Sequence, residues 1–250
     1  MAEAVETMEG WFSLHDLRSI DWPKWKRTSN KVRQEAIEEF IELIAKWEEV
    51  ETQKKGSHVL CKALGHKADL MFMFLRPTVE QLSDIETKIE KSKLGDFLIR
   101  KHSYLSVVEL GKHRAPKDVD LRTSPRIRER LYPILPKWDY MSFYPMNRKR
   151  EAHANWFTLE QSERSKLLYE HSLTGRKYME KVRQVTTGSI GLDLWEWAIT
   201  LFSNDALQLK KIVYEIRFDE ASSRFGEFGD FYIGIRMTEE GLKEYLAVSK

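Results

Sequence analysis

The segment ADLMFMFL (residues 68–75) is followed by a helix that begins at Thr78, and this order recurs in the second half of the chain. There the segment LDLWEWAITLF (residues 192–202) is followed by a helix that begins at Ser203. Short runs rich in apolar, β-branched and aromatic residues are typical of strands. The repeated order predicts two similar halves, each with a strand that leads directly into a helix.

The first half contains the other elements of such a unit. Residues 7–17 predict a strand, and apolar residues three and four positions apart across residues 32–47 predict a long amphipathic helix. Residues 57–64 predict the hairpin partner of ADLMFMFL, and residues 102–110 predict a last strand. With the helix that follows ADLMFMFL, the order is β-α-β-β-α-β.

The second half repeats this order. Strands are predicted at residues 140–145, 181–187, 193–202 and 228–237, and a helix at residues 203–218. Two capping boxes, Thr78 with Gln81 and Thr158 with Gln161, predict where one helix of each half begins. The chain is therefore predicted to be α+β, with two ferredoxin-like β-α-β-β-α-β units packed sheet to sheet as an α+β barrel.

A segment rich in proline and basic residues separates the halves. Residues 112–137 hold four of the seven prolines, so they are predicted to be a long linker rather than one regular element. Both a solvated tether and a functional loop fit this composition. The predicted domains are residues 1–111, the linker 112–137, and residues 138–250.

Composition bounds the class of protein. With 42% apolar residues the chain can bury a core, and a net charge of +2 gives no general attraction to nucleic acid or to an acidic membrane. Cys61 is the one cysteine, and no apolar run reaches the roughly 20 residues that span a bilayer. The N-terminus lacks the pattern of a signal peptide. We therefore expect a cytoplasmic protein that binds neither membrane nor nucleic acid.

The stretch WDYMSFYPMNRKR (residues 138–150) carries the first candidate site residues. Side chains alternate along a strand, so Tyr144 and Met146 are predicted to share one face of the sheet. Arg148 and Lys149 follow directly and supply positive charge. The residues alone leave two interpretations open, a packed core or a binding site.

A histidine on the next helix is the second candidate. His171 follows Leu167 by four residues and Leu168 by three, so the three side chains share one helix face. One histidine cannot hold a free metal ion, but it can bind the iron of a haem. His171 is therefore either a hydrogen-bonded core residue or a haem ligand.

Four features follow one another along the second half of the chain. They are the YPM strand followed by basic residues, His171 on the next helix, Gln184 beyond it, and DEASSRFGEFGDF (residues 219–231). Together they resemble the coproheme decarboxylases, the haem-synthesis branch of the chlorite dismutase family found in Gram-positive bacteria. The resemblance covers essentially the full length.

The resemblance implies an enzyme that uses hydrogen peroxide to convert two propionates of iron coproporphyrin III (coproheme) into vinyl groups, giving haem b. His171 is then the iron ligand, in the second-half domain. Tyr144 is then the redox-active residue, whose radical attacks a propionate. The family also implies a homopentamer and transient contact with the ferrochelatase that supplies coproheme.

Further residue roles follow from the same resemblance. Met146 is expected to line the pocket, and Arg130, Arg148 and Ser222 to contact propionates. Members of the family carry Lys where Arg148 stands, so Lys149 is a second candidate for that role. True chlorite dismutases have an Arg where this chain has the neutral Gln184, which favours the decarboxylase branch.

Three alternatives to a coproheme decarboxylase stay open. A haem peroxidase or chlorite dismutase would retain haem b and release oxygen from chlorite. A non-catalytic porphyrin carrier or haem sensor would not depend on the hydroxyl group of Tyr144. A nucleic-acid-binding protein would use the basic stretch 112–150, but the near-neutral net charge disfavours it.

Overall fold

This computed structural model describes residues 4, 6–111 and 124–248. Within them, the strands are β1 (Thr7–Ile20), β2 (Ser57–Ala63), β3 (Leu70–Arg76), β4 (Leu98–Gly111), β5 (Tyr140–Arg148), β6 (Arg150–Glu151), β7 (Ala154–Asn155), β8 (Arg183–Gly188), β9 (Trp197–Ser203), β10 (Gly226–Phe228) and β11 (Tyr232–Arg236). The helices are α1 (Trp22–Arg27), α2 (Asn30–Thr52), α3 (Val79–Lys91), α4 (Pro125–Leu131), α5 (Gln161–Arg176), α6 (Ala206–Ile216), α7 (Glu220–Phe225) and α8 (Glu239–Leu246). Short 3-10 helices cover Gly95–Phe97 and Trp156–Thr158.

The chain forms two compact units that are each discontinuous in sequence. Unit 1 takes its described residues from 1–10, 106–131 and 138–232. Unit 2 takes its described residues from 11–105, 132–137 and 233–250. The predicted division into residues 1–111, 112–137 and 138–250 stays a prediction.

Unit 2 has an antiparallel sheet in the order β2-β3-β1-β4, and β11 pairs with the outer edge of β2. Helix α2 buries Phe40, Ile44 and Trp47, and the Trp47 ring lies 4.9 Å from the Phe74 ring of β3. Helix α3 begins at the N-cap Thr78, which accepts a hydrogen bond from the Gln81 amide. The predicted β-α-β-β-α-β order of the first half is confirmed.

Unit 1 has strands in the order β10-β5-β9-β8-β4. In the β5–β9 ladder Tyr144 pairs with Ile199 and Met146 pairs with Trp197. Helices α5 and α6 supply the two helices between its strands. The second half therefore also follows the predicted order, which confirms the α+β class.

The predicted starts of helix α5 and strand β9 are wrong. Thr158 does not cap α5: its hydroxyl group donates to the Asn155 carbonyl at 3.0 Å, and the N-cap is Glu160 without a side-chain bond. The strand predicted from residue 193 begins only at Trp197. The Ser189 hydroxyl group donates to the Trp195 carbonyl at 2.7 Å, so local turn bonds hold the preceding residues out of the sheet.

Two further boundaries also differ from the prediction. Helix α6 begins at Ala206, because Asp205 accepts from the Leu207 amide and is the N-cap, while Ser203 ends strand β9. The strand predicted at 228–237 is two strands, β10 and β11, that pair with different neighbours. A further helix, α7, precedes them and was not predicted.

The predicted linker is described in part. Residues 112–123 lie outside the described residues, and α4 covers Pro125–Leu131. None of the helices in the described ranges is long and apolar enough to cross a membrane.

Candidate functional site

Unit 1 contains a cavity of about 550 Å³. This volume lies within the roughly 300–1,000 Å³ of pockets that hold small molecules and cofactors. Apolar and aromatic side chains form much of its wall, with a few polar groups among them. The predicted site residues that line the cavity are Tyr144, Met146, Arg148, His171, Gln184 and Ser222.

His171 presents its imidazole to this cavity from the middle of α5. Nδ1 lies 2.9 Å from Oδ2 of Asp219 and 3.4 Å from the Ser222 hydroxyl oxygen. A carboxylate beside Nδ1 favours the tautomer that carries its proton there. Nε2 is then the ring nitrogen with a free lone pair for a ligand in the cavity.

Asp219 is held in place by the start of helix α7. It is the N-cap of that helix, and Oδ1 accepts the Ser222 amide at 2.8 Å. Burial opposes ionisation of this carboxyl group, but hydrogen bonds from His171 and Ser222 outweigh burial and lower its pKa. The group facing His171 is therefore an anion at neutral pH.

Tyr144 lies on the cavity face of β5, with 3% of its surface exposed. Its ring stacks on Phe231 at 4.3 Å between centroids and lies 5.9 Å from Phe228. Burial raises the pKa of its phenol above the ordinary value, against smaller opposite effects of Arg217 and Arg148. The phenol therefore remains neutral at physiological pH.

Arg148 ends the same strand and is also buried. Its guanidinium group donates to the Ala221 carbonyl at 2.5 Å and lies 4.6 Å from the centre of the Trp156 ring. Burial lowers its pKa to about 10, although Asp219 and Glu196 act in the opposite direction. Arg148 therefore stays cationic at neutral pH and supplies positive charge to the cavity.

Gln184 enters the cavity wall from β8. Its side-chain amide donates to the Thr186 hydroxyl group at 2.9 Å, and both side chains line the cavity. Residues two apart on a strand face the same side, which accounts for this contact. The position offers a neutral hydrogen-bond donor.

Arg130 and Lys149 are not among the described residues that line the cavity. Arg130 is exposed on α4. The Lys149 amide donates to the Phe225 carbonyl at 2.8 Å, and its ammonium group lies 3.7 Å from Glu151. Their predicted contacts with propionates stay predictions.

Sequence reasoning missed several residues of the site. Asp219, the partner of His171, is the most important of them. In the sequence it is an acidic residue before a short helix, and an ordinary N-cap has the same pattern. Trp156 follows the basic cluster and packs edge-on against Phe225 at 5.4 Å. Glu109 lines the cavity from β4, where nothing in the sequence distinguishes it from a surface carboxylate.

This arrangement suits a large, flat, partly apolar ligand with anionic groups. A bare metal ion is a poorer fit, because no group of three or more His, Cys, Asp or Glu able to hold one occurs in the parts of the chain that the structure describes. A single imidazole backed by a carboxylate matches the way a haem iron is held from one side.

The fold and the cavity agree with the class to which the chain belongs. Residues 33–237 match the family described as chlorite dismutase, and the chain belongs to that family. It is 52% identical over 249 residues to the coproheme decarboxylase of Oceanobacillus iheyensis, a match that covers 99% of this chain and 100% of that protein.

Two solved structures are similar in fold to this chain. A structure described as a novel heme-binding protein from Thermus thermophilus is 44% identical, with a TM-score of 0.95 over 98% of each chain. The chlorite dismutase of Candidatus Nitrospira defluvii, in complex with imidazole, is 18% identical with a TM-score of 0.74 over 96% of each chain. At that identity the likeness shows the fold alone.

Proposed function

We propose that this protein is an enzyme of haem synthesis, a coproheme decarboxylase. Its substrate is iron coproporphyrin III, and its product is haem b, made by converting two propionates into vinyl groups with hydrogen peroxide as the oxidant. The observation that carries the proposal is the cavity that Tyr144, Arg148 and His171 line together. The 52% identity to a protein named coproheme decarboxylase supports it.

The residues present fit this substrate. His171 would hold the iron through Nε2, because Asp219 engages Nδ1. Arg148 and Ser222 would bind propionates in the cavity, and Arg130 and Lys149 are further candidates for this role. Met146 would form part of the apolar wall. When bound, iron coproporphyrin supplies the redox centre at which hydrogen peroxide is reduced.

Tyr144 is the proposed redox-active residue. Its buried phenol, stacked on Phe231, stays neutral, so losing an electron means losing its proton as well. The resulting tyrosyl radical would remove a hydrogen atom from a propionate side chain. That hydrogen atom restores the phenol. The propionate radical would then lose carbon dioxide and one electron, which the second oxidising equivalent of hydrogen peroxide would accept through the iron porphyrin, and a vinyl group is left.

Gln184 supports the decarboxylase over the chlorite dismutase alternative. Chlorite is an anion, and a neutral amide bonded to Thr186 offers no charge to hold it. We further propose that the protein works in the cytoplasm as a homopentamer and receives coproheme from a ferrochelatase.

The test is a peroxide titration of the protein loaded with iron coproporphyrin III, with the products identified by mass spectrometry. We expect a three-propionate intermediate and then haem b. Tyr144→Phe should bind the porphyrin and form neither product. Tyr214→Phe, at a position that is 57% exposed, is the matched control and should behave as the wild type.

The other outcomes identify the alternatives. Tight binding without any vinyl product, in wild type and Tyr144→Phe alike, would favour a porphyrin carrier. Oxygen release from chlorite by the haem b form would favour a chlorite dismutase.

A further inference from the structure

One residue of the cavity wall is unexpected in a site for an anionic ligand. Glu109 is the only acidic side chain among the described residues that line the cavity. Iron coproporphyrin III carries four propionates, and an ionised Glu109 would repel them. A proton on this carboxyl group would remove that repulsion.

One hydrogen bond and one close backbone approach position the Glu109 carboxyl group. Its Oε1 accepts a hydrogen bond from the indole Nε1 of Trp197 at 3.2 Å. Strand β8 approaches from one side at Gly188, where an added Cβ atom would lie 2.3 Å from the carboxyl carbon of Glu109. A side chain at residue 188 would therefore displace this carboxyl group from its present position.

The surroundings of Glu109 raise its pKa above the ordinary value. Burial has the largest effect and raises the pKa of Glu109, the hydrogen bond from Trp197 lowers it, and the charge of Glu9 on β1 raises it. Gly188 and Trp197, which approach from β8 and β9, are uncharged. The net result is a raised pKa, and a bound polyanionic porphyrin would raise it further.

The proposed reaction requires a proton source. For each propionate, a C–H bond and the C–C bond to the carboxylate break, and a C=C bond and carbon dioxide form. The two electrons released reduce hydrogen peroxide to two molecules of water, which takes two protons. The broken C–H bond supplies one of them, so one further proton is consumed for each vinyl group made.

We propose that Glu109 is the proton donor of the cavity, a carboxylic acid held by Trp197 that delivers the proton consumed at each decarboxylation. This inference rests on the proposed function and assigns a role to a residue that the proposed function leaves unused. After the first transfer, Glu109 takes up a proton from solvent, and the second propionate then reacts.

The first test needs no substrate. Difference infrared spectra of the unloaded protein, wild type against Glu109→Gln, should contain the C=O stretch of a protonated carboxyl group, and this band should persist to higher pH than that of an ordinary glutamate. The band should shift in D₂O and persist in Glu180→Gln, which removes an exposed carboxylate outside the cavity wall. Loss of the band at the pH where an ordinary glutamate ionises would overturn the inference.

The second test uses single turnovers of the porphyrin-loaded protein. Glu109→Gln keeps an acceptor for Trp197 and should bind iron coproporphyrin III at least as tightly as the wild type. Its decarboxylation should slow on the order of 100-fold, the usual contribution of a general acid. Glu109→Asp should recover part of the rate, and Glu180→Gln, at an exposed position outside the cavity wall, should match the wild type.

The two hypotheses fail in different ways. If the wild type forms haem b and Glu109→Gln does so at an equal rate, the proton-donor role is overturned and the proposed function stands. If the wild type binds the porphyrin and forms no vinyl group, the proposed function is overturned, and proton donation with it, whatever the infrared band shows.

Discussion

Oδ2 of Asp219 lies 2.9 Å from Nδ1 of His171, although 48 residues separate the two in sequence. The same carboxylate caps α7 through Oδ1 and the Ser222 amide. One side chain therefore both starts a helix and orients an imidazole, so the position of the proposed iron ligand depends on two helices.

Asp219→Asn separates these two roles. Asparagine caps helices about as well as aspartate, so α7 should persist, whereas the charge beside His171 is lost. We expect iron coproporphyrin III to bind about 10- to 100-fold more weakly and the iron–histidine stretch in resonance Raman spectra to move to lower frequency. Asp205→Asn, at the N-cap of α6, is the control and should change neither quantity.

Arg148 is expected to act through its charge. Arg148→Met keeps an apolar stem of similar length against Trp156 but removes the guanidinium group. A charge-assisted hydrogen bond contributes about 1.5–3 kcal/mol, so porphyrin affinity in an optical titration should fall about 10- to 100-fold. Arg148→Lys should stay within a few-fold of the wild type. An unchanged porphyrin affinity in Arg148→Met would show that Arg148 does not bind a propionate. The control is Arg150→Met, at an exposed neighbouring position, which should keep the wild-type affinity.

His58 makes the stability of the chain depend on pH. It is buried beside Trp47, and burial lowers its pKa from 6.5 to about 4, with Lys137 and Arg76 acting in the same direction and Glu51 against them. The unfolded chain binds the proton first as the pH falls. The free energy of unfolding should therefore decrease by about 3 kcal/mol between pH 6.5 and 4 on account of this residue.

Urea unfolding at several pH values measures this effect. His58→Phe keeps a ring beside Trp47 and cannot titrate, so its curve should lack this part of the decrease. His66→Phe, at an exposed position before β3, should keep it. Parallel pH curves for wild type and His58→Phe would contradict the prediction.

Two threonines with the same sequence pattern should differ in their contribution to stability. Thr78 accepts the Gln81 amide and caps α3, so Thr78→Ala should cost about 1 kcal/mol in the free energy of unfolding. Thr158 donates to the Asn155 carbonyl and caps no helix, so Thr158→Ala should cost clearly less. Equal losses in chemical denaturation would mean that Thr158 also supports α5.

The sequence by itself determined the secondary-structure order and most of the site. Alternation along β5 puts Tyr144 and Met146 on one face, and helical spacing puts His171 beside Leu167 and Leu168, because both periods are properties of the local backbone. The two β-α-β-β-α-β orders followed from the same periodicities. Motif resemblance added Arg148, Gln184 and Ser222, which also line the cavity.

Only the tertiary structure decided which polar groups meet. Thr158 with Gln161 has the sequence of a capping box, yet the Thr158 hydroxyl group donates its hydrogen bond to the Asn155 carbonyl. The spacing of residues does not show which of several nearby hydrogen-bond partners a side chain will choose. Asp219 and Glu109 look in sequence like a helix cap and a surface acid. Their partners, His171 and Trp197, are 48 and 88 residues away, and that distance in sequence leaves no local pattern to read.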